Sequence, residues 1–318
     1  QLFGERISFY HVGVSPQELK NNKKRKMNAQ LDAFYASLLV QGFKCKKPKD
    51  WFEAFSDLIE FLKTKNSDER ILVFIDEFPW LDTPKSNFIS AFEWFWNFYG
   101  ANQKNLMFII CGSSTSWMLN KVINSHGGLY NRITYSIHLS PFSLKECELY
   151  FRHKNYDLNR YMIALIYMVF GGIPYYLNYY ENGKSISQMI DELFFKGDKL
   201  SQEYDNLFES SFDSEKLAKR IVEFLSMRKK GFSRKEFLDG LKISDGEDVG
   251  KTLKALINSD FVLEYIPFGK TRKNKYYKVI DPFCLFYLKH IKECVSLDEN
   301  AFNNNDDSKN WVGASFEN

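Results

Sequence analysis

The sequence predicts an α/β domain whose parallel sheet carries helices on both faces, followed by an all-helical segment and a small helix-and-ribbon module. Three observations lead to this class. Two unbroken apolar runs, ILVFI and LMFIIC, stand between polar or charged residues, as strands covered on both faces do. Helical patterns alternate with these runs, which is typical of right-handed crossover connections. After Phe142 the strand patterns stop, and they return only near the end of the chain.

Composition narrows the class of protein further. The 318 residues are 44% hydrophobic, enough to bury more than one core, and 43 Lys and Arg against 40 Asp and Glu leave a net charge of only +3. The five cysteines lack C-x-x-C spacing and the five histidines lack metal-ligand spacing, so we expect reduced thiols, a cytoplasmic protein and no zinc site. No apolar run approaches the roughly 20 residues that cross a bilayer, and no signal peptide opens the chain, so no membrane partner is expected.

The first part of the chain reads as strands separated by helices. Asp50 is the predicted N-cap of the amphipathic helix WFEAFSDLIEFLK, whose apolar residues recur at i, i+3, i+4 and i+7. The predicted elements, in chain order, are a strand in RISFYHVGV (6–14), a helix over 28–40, the helix after Asp50, a strand over 71–75, a helix ending near Gly100, a strand over 106–111 and a strand over 135–139.

The second part of the chain changes character. Helical patterns run from SLKECELYF to residue 228 and are broken by the turn at Gly171-Gly172-Ile173-Pro174. A helix capped by Ser233, with Glu236 three residues on, then begins a helix, turn, helix and two-stranded ribbon, which is the pattern of a winged helix. The span 213–290 holds 17 Lys and Arg against 11 Asp and Glu, so the basic surface is expected in this module.

Acidic and small polar residues follow two of the predicted strands. Asp76 and Glu77 end the run ILVFI, at the sheet edge where open α/β sheets bind ligands. In nucleotide hydrolases the first acid holds Mg²⁺ and the second polarises the attacking water. Ser113 and Ser114 follow the next strand, where a hydroxyl can sense the terminal phosphate, and Arg132 supplies positive charge. The alternatives are solvated acids at a strand end and a surface arginine.

The ordered motifs IDEFPWLDTPKSNFISAFEWFWN, IICGSSTSW, GGLYNRIT, IHLSPFSLKECELYF, GGIPYYL and IDELFF resemble those of prokaryotic AAA-related, signal-transducing P-loop ATPases. The resemblance covers nearly the whole chain. It implies ATP and Mg²⁺ as cofactors and a nucleotide-dependent switch. In it, Asp76 and Glu77 are the Walker B acids, with Asp76 on the metal. Ser114, or Ser113, is the sensor, and Arg132 contacts a phosphate.

The resemblance also implies four segments. They are a P-loop-type core over 1–140, a helical lid over 141–212, a winged helix over 213–290, and a polar linker over 291–318 that begins a nuclease-like domain.

One part of the family pattern is missing from the sequence. No G-x-x-x-x-G-K-[ST] loop precedes Arg6, so the backbone cradle and lysine that grip the phosphates are absent, along with the first strand. Gly246-Glu-Asp-Val-Gly-Lys-Thr is one residue too short and follows a helix, so it is expected to open the second winged-helix helix instead. We therefore expect a fragment that does not hydrolyse ATP alone. The alternative is a degenerate or split gene whose partner chain supplies the strand.

The second class of function is DNA binding or regulation through the winged helix. Its basic residues would contact DNA phosphates while a helix lies in the major groove, but the sequence shows no group of side chains suited to contact base edges. The candidates are Lys251, Lys254, Lys270, Arg272, Lys273 and Lys275. The alternative is a protein-interaction module. The sequence thus favours an ATPase-family protein, with a DNA-binding module carrying a degenerate ATPase domain as the second hypothesis.

Overall fold

The structure is a computed structural model that describes residues 6–15, 25–65, 69–125, 127–196, 199–212, 214–271, 274–292 and 302. The chain divides into two compact units, Gln1–Ser136 and Ile137–Asn318. Across the described part of the chain, every helix is too short or too polar to span a membrane.

The first unit is the α/β part of the chain. Its elements are β1 (Phe9–Val12), α1 (Arg25–Val40), α2 (Trp51–Lys63), β2 (Ile71–Asp76), α3 (Phe78–Leu81), α4 (Phe88–Phe98), β3 (Leu106–Ile110) and α5 (Thr115–Trp117). Asp50 caps α2 as predicted, since its side chain accepts a hydrogen bond from the Glu53 N–H at 2.9 Å. The runs predicted as strands over 71–75 and 106–111 are confirmed as β2 and β3.

The three strands form a parallel sheet in the order β1-β2-β3. Phe9 lies opposite Val73, and Val73 lies opposite Phe108. Alternate side chains of β1 and β2, including Phe9, Val73 and Ile75, are completely buried in a core with residues of α1, α2 and α4. Much of this core is aromatic, with Phe55 in ring contact with residues of α4.

The prediction of helices on both faces of the sheet is wrong for the described part of the first unit. Because successive strands are added in one direction, right-handed connections place all the intervening helices on the same face. The opposite face is an open apolar groove of about 1070 Å³. Its lining includes side chains from all three strands, namely Tyr10, Leu72, Phe74, Met107 and Ile109.

Two glutamines, Gln30 in α1 and Gln41 immediately after it, cover the outer edge of β1 and of the segment that follows it. The Gln41 amide accepts a hydrogen bond from the Tyr10 N–H at 2.7 Å and donates one to the Tyr10 carbonyl at 2.8 Å. Gln30 makes the same pair of bonds with Val14, at 2.9 and 2.8 Å. These amides take the place of a neighbouring strand. Among the described strands β3 pairs only with β2, so its other edge is open.

The strand predicted over 135–139 is absent. These described residues have no regular secondary structure and pair with no strand, and Tyr135, Ile137 and Leu139 are 81%, 68% and 88% exposed. The alternating pattern is local, but a strand also needs a partner for its backbone groups. The described residues offer none here.

The second unit is mainly helical. Its helices are α6 (Leu144–His153), α7 (Arg160–Phe170), α8 (Pro174–Leu177), α9 (Ile186–Ile190), α10 (Glu203–Ser211), α11 (Glu215–Ser226), α12 (Arg234–Leu241), α13 (Glu247–Asn258) and α14 (Pro282–Phe286). Its strands are β4 (Phe232–Ser233), β5 (Val262–Tyr265) and β6 (Tyr276–Val279), paired antiparallel in the order β4-β6-β5. Of the segment predicted over 291–318, only 291, 292 and 302 are described.

The predicted cap at the start of α12 is confirmed. Ser233 and Glu236 form a reciprocal capping box, in which each side chain bonds the backbone of the other residue. A hydrogen bond from Arg228, supported by bonds from Ser233, lowers the pKa of Glu236 to about 2. The carboxylate therefore stays charged and keeps the beginning of this helix fixed at neutral pH.

Candidate functional site

The acid pair lies at the carboxyl end of β2. Asp76 is the last residue of this strand, and Glu77 is the N-cap of α3. Glu77 has φ 47° and ψ 45°, in the left-handed region that costs a non-glycine residue roughly 1–2 kcal/mol. Its N–H donates to Asp76 Oδ1 at 2.9 Å. Backbone strain of this kind persists only where neighbouring groups hold it in place.

The end of β3 supplies those neighbouring groups. Ser113 donates to Glu77 Oε2 through its hydroxyl at 3.1 Å and its N–H at 3.3 Å. The Cys111 thiol donates to Asp76 Oδ1 at 2.7 Å. Burial, with the bond to Asp76 adding to it, raises the pKa of Cys111 to about 12, so the thiol remains a donor at neutral pH. The two strand ends therefore meet, as expected from parallel pairing.

Two glycines let the backbone pack closely around the acids. A Cβ on Gly13 would lie 2.7 Å from the Glu77 carbonyl oxygen, and one on Gly112 would lie 2.3 Å from Pro79 Cδ. Larger residues at either position would push the acid-bearing turn away. Sequence reasoning missed the roles of Gly13, Gly112 and Cys111, because none of the three carries a charge and their function depends on contacts across strands.

The other two predicted site residues are not bonded to the acid pair. Ser114 begins α5 without a side-chain cap, and no described bond joins it to Asp76 or Glu77. Arg132 is exposed. Its loop is nevertheless tied to α4, because the Gly128 N–H donates to Glu93 Oε1 at 2.9 Å and Asn97 Nδ2 donates to the Gly128 carbonyl at 3.0 Å.

The acid pair fits the way in which Mg²⁺ is held beside a nucleotide. Within the described ranges, Asp76 Oδ2 has no hydrogen-bond partner, which leaves that oxygen available for a cation. No described cluster of three or more His, Cys, Asp or Glu residues forms a metal cage. Mg²⁺ ordinarily takes one or two carboxylates and completes its shell with waters and substrate phosphates, so a single acid is a suitable protein ligand.

The residues predicted to meet DNA have varied environments. Lys251 lies 2.6 Å from Glu247 and Lys275 lies 2.6 Å from Glu264, so both are in ion pairs. Lys254 and Lys270 are exposed. Arg272 and Lys273 lie outside the described residues. Gly246 precedes α13, as expected, and does not follow a strand.

A parallel sheet with two carboxylates at its carboxyl edge, braced by the end of the next strand, is typical of P-loop nucleotide hydrolases. Residues 4–180 match the family described as an ATPase domain predominantly from Archaea. The match spans more than half of the chain, and the chain belongs to this family. Membership implies the use of a nucleotide, ordinarily with Mg²⁺.

The chain is also similar to two individual proteins. The chain is 28% identical over 321 residues to the uncharacterized protein MJECL04 of Methanocaldococcus jannaschii, covering 98% of this chain and 66% of that protein. The chain thus spans just under two thirds of this relative's length. The fold is similar to that of the Walker-type ATPase PABY2304 of Pyrococcus abyssi, with a TM-score of 0.53, 16% identity, and coverage of 90% of this chain and 85% of the other.

Proposed function

We propose that Asp76 and Glu77 form the acidic half of a Mg²⁺-dependent ATP-hydrolysing site. The observation that carries this proposal is the contact between the acid pair and the end of β3, with Glu77 held in a left-handed conformation. Bound Mg²⁺ would neutralise phosphate charge. Asp76 Oδ2 is the oxygen that would hold it. Glu77 orients and deprotonates the attacking water, and Ser113 fixes the carboxylate that does so.

The predicted roles of Ser114 and Arg132 are part of the same proposal. Ser114 lies one residue beyond Ser113 and would report the terminal phosphate. Arg132 would reach a phosphate from its anchored loop, and its exposure leaves the guanidinium available for bidentate contact. The bonds from Glu93 and Asn97 support this role, since they limit where the loop can lie.

The phosphate grip is the part that this sequence does not carry. We propose that it comes from a strand and glycine-rich loop outside these residues, which pair with the open side of β3. The support is that β1 is already covered by glutamines, whereas β3 has one described neighbour and the adjacent sheet face is apolar. Without backbone N–H groups to hold the phosphates, two carboxylates repel ATP, so this chain alone should not hydrolyse it.

Nucleotide binding and turnover test the proposal. The chain should bind Mg²⁺-ATP weakly or not at all in calorimetry, and a form extended by the residues encoded before Gln1 should bind and hydrolyse it. In that form Glu77→Gln should lower turnover by about 10²–10⁴-fold while binding persists, because it removes only the general base. Asp76→Asn should weaken the Mg²⁺ dependence. The control Glu60→Gln, on α2, should change neither. Tight Mg²⁺-ATP binding by the chain alone would contradict the account of the phosphate grip.

DNA binding by the second unit is the second candidate. We propose a helical lid over 141–212 and a winged helix over 213–290. The latter is supported by the β4-β6-β5 ribbon beside α12 and α13. The β5–β6 connection contains a turn closed by the Lys270 N–H on the Pro267 carbonyl at 3.0 Å, which presents Phe268 and Lys270 to solvent. An exposed aromatic ring beside basic residues suits nucleic acid.

Salt-dependent DNA binding separates this candidate from a purely protein-directed module. Replacing Lys270, Arg272 and Lys273 together by alanine should weaken DNA binding and reduce the magnitude of its salt slope by about 0.9 for each phosphate that is no longer neutralised. Lys145→Ala is the control, since this exposed lysine lies on α6, outside the proposed winged helix. An unchanged affinity and slope in the triple variant would exclude DNA binding through this loop.

A further inference from the structure

Gln30 is a buried polar side chain whose hydrogen bonds reach two separate segments. It is 0% exposed. Its Oε1 accepts from the Val14 N–H at 2.9 Å, and its Nε2 donates to the Val14 carbonyl at 2.8 Å and to the Trp80 carbonyl at 3.0 Å. One side chain of α1 thus joins the segment after β1 to α3, and its amide nitrogen uses both of its hydrogens.

Both of these segments touch the acid pair directly. Val14 follows Gly13, whose N–H donates to the Asp76 carbonyl at 3.0 Å and whose Cα packs against the Glu77 carbonyl. The Trp80 N–H donates to that same Glu77 carbonyl at 3.0 Å. Gln30 therefore holds the two chain segments that enclose the Glu77 backbone from the side opposite β3.

We propose that Gln30 is a positioning residue for Glu77, holding the residue in its left-handed conformation so that the carboxylate stays aimed at the attacking water. The inference rests on the proposed hydrolytic role of Glu77. On the β3 side, the Phe78 N–H donates to the Cys111 carbonyl at 2.9 Å, and Ser113 bonds the carboxylate. Gln30 supplies the restraint from the other side, so the strained turn is fixed at both ends.

Gln41, the first residue after α1, offers a matched comparison. It makes the same pair of bonds with Tyr10 that Gln30 makes with Val14, but its third bond goes to the Ser37 carbonyl within α1, at 2.8 Å. Gln41 therefore covers the strand edge without reaching α3. A substitution at Gln41 reports the cost of losing edge cover alone, and one at Gln30 adds the loss of the link to α3.

The test uses Gln30→Glu and Gln30→Met beside Gln41→Glu and Gln41→Met, in the form of the protein that binds Mg²⁺-ATP. Glutamate cannot donate the two Nε2 bonds, and methionine can make none of the three. The Gln30 variants should lower kcat by about tenfold to a hundredfold with nucleotide affinity kept, the cost expected when a catalytic group shifts by about 1 Å. Amide exchange at Phe78 and Trp80, the residues of this turn whose N–H bonds are described above, should become faster than in the Gln41 variants.

Two results would overturn the assignment of Gln30. One is unchanged amide exchange at Phe78 and Trp80 in Gln30→Met. The other is a loss of kcat that is equally large in the Gln41 variants, or a loss in the Gln30 variants that is no larger than the fraction of protein that is unfolded. Amide exchange can be measured without turnover, so it tests the role of Gln30 in holding the turn separately from the role of Glu77 in catalysis. An unmutated extended protein that never hydrolyses ATP would refute the role of Glu77 in catalysis, whereas exchange still decides whether Gln30 holds the turn.

Discussion

His11 shows how strongly burial acts on a single side chain of the first unit. It is 1% exposed, and its Nδ1 lies 2.9 Å from Ser37 Oγ. Its Nε2 has no hydrogen-bond partner among the described residues, and the ring packs edge-on to Phe34. Burial lowers the pKa of His11 from 6.5 to about 4, because a charged ring would lose its hydration here.

This depressed pKa predicts a pH-dependent stability. Below pH 6.5 His11 is protonated in the unfolded chain but stays neutral in the folded chain. The free energy of unfolding is therefore unaffected by this residue above pH 6.5 and decreases as the pH falls towards about 4. The loss should reach roughly 3 kcal/mol, because each pKa unit is worth about 1.4 kcal/mol. Urea unfolding between pH 7 and 4 measures it. His11→Asn should flatten this part of the profile, whereas His153→Asn, at an exposed position, should leave it unchanged.

At the residue scale the sequence predicts the charged members of the site better than the uncharged ones. Asp76 and Glu77 stand out because two acids after an apolar run form a local pattern, and the bond from Ser113 follows from parallel pairing. The contributions of Gly13 and Gln30 come from contacts between distant parts of the chain. No local pattern reports such contacts, so these residues emerge only from the structure.

At the scale of elements, the turn between α7 and α8 depends on a glycine for close packing. The Gly172 carbonyl accepts a hydrogen bond from the Phe142 N–H at 2.7 Å, and a Cβ on Gly172 would lie 1.9 Å from the Phe142 carbonyl oxygen. The segment leading into α6 therefore lies directly against this turn. A side chain of any size forces the two apart and breaks their hydrogen bond.

Gly172→Ala should accordingly destabilise the second unit by about 1–3 kcal/mol, the usual cost of forcing extra atoms into a packed site. Thermal or urea unfolding followed by circular dichroism measures the change. Gly246→Ala is the control, since a Cβ there meets nothing within 4 Å, and it should cost at most about 1 kcal/mol as a change of N-cap. Equal effects at the two glycines would show that the contact with Phe142 is unimportant.

Element prediction succeeds where the signal is local and fails where it depends on a neighbour. The caps at Asp50 and Ser233 and the existence of strands β2 and β3 are predicted correctly, because caps and apolar runs are patterns of adjacent residues, whereas the expected burial of both faces of these strands is not found. The strand predicted over 135–139 and, for the described part of the first unit, the second helical layer are wrong. Both features depend on which elements lie beside the segment, and the local residue pattern does not determine those neighbours.

At the scale of the whole molecule, the uncovered face of the first sheet is the largest departure from expectation. An apolar groove of about 1070 Å³, with Met107 45% exposed at its surface, is unusual for a sheet in an α/β protein. We expect this face to be covered when the strand and loop proposed to pair with β3 are present. In the chain without them, the face offers a binding surface for small apolar molecules.

A hydrophobic fluorescent dye should therefore bind the native chain before any unfolding. Met107→Glu should reduce the fluorescence, because a charge in the groove opposes apolar contact. Met227→Glu is the matched control, since Met227 is 74% exposed but lies in the second unit and does not line the groove. Equal fluorescence in the two variants would mean that the dye binds elsewhere, and the groove would not be a binding surface.

The glutamine side chains beside β1 also limit how many copies of the chain can associate through the edges of this sheet. A sheet with two bare edges can add copies indefinitely, which is the route to fibres. In this chain, without the strand proposed to pair with β3, one side of the first sheet is covered by Gln41 at Tyr10 and by Gln30 at Val14, so edge-to-edge joining through this sheet would stop once β3 of one molecule pairs with β3 of another. Such a pair would have two-fold symmetry and would leave no uncovered strand edge in this sheet from which to grow.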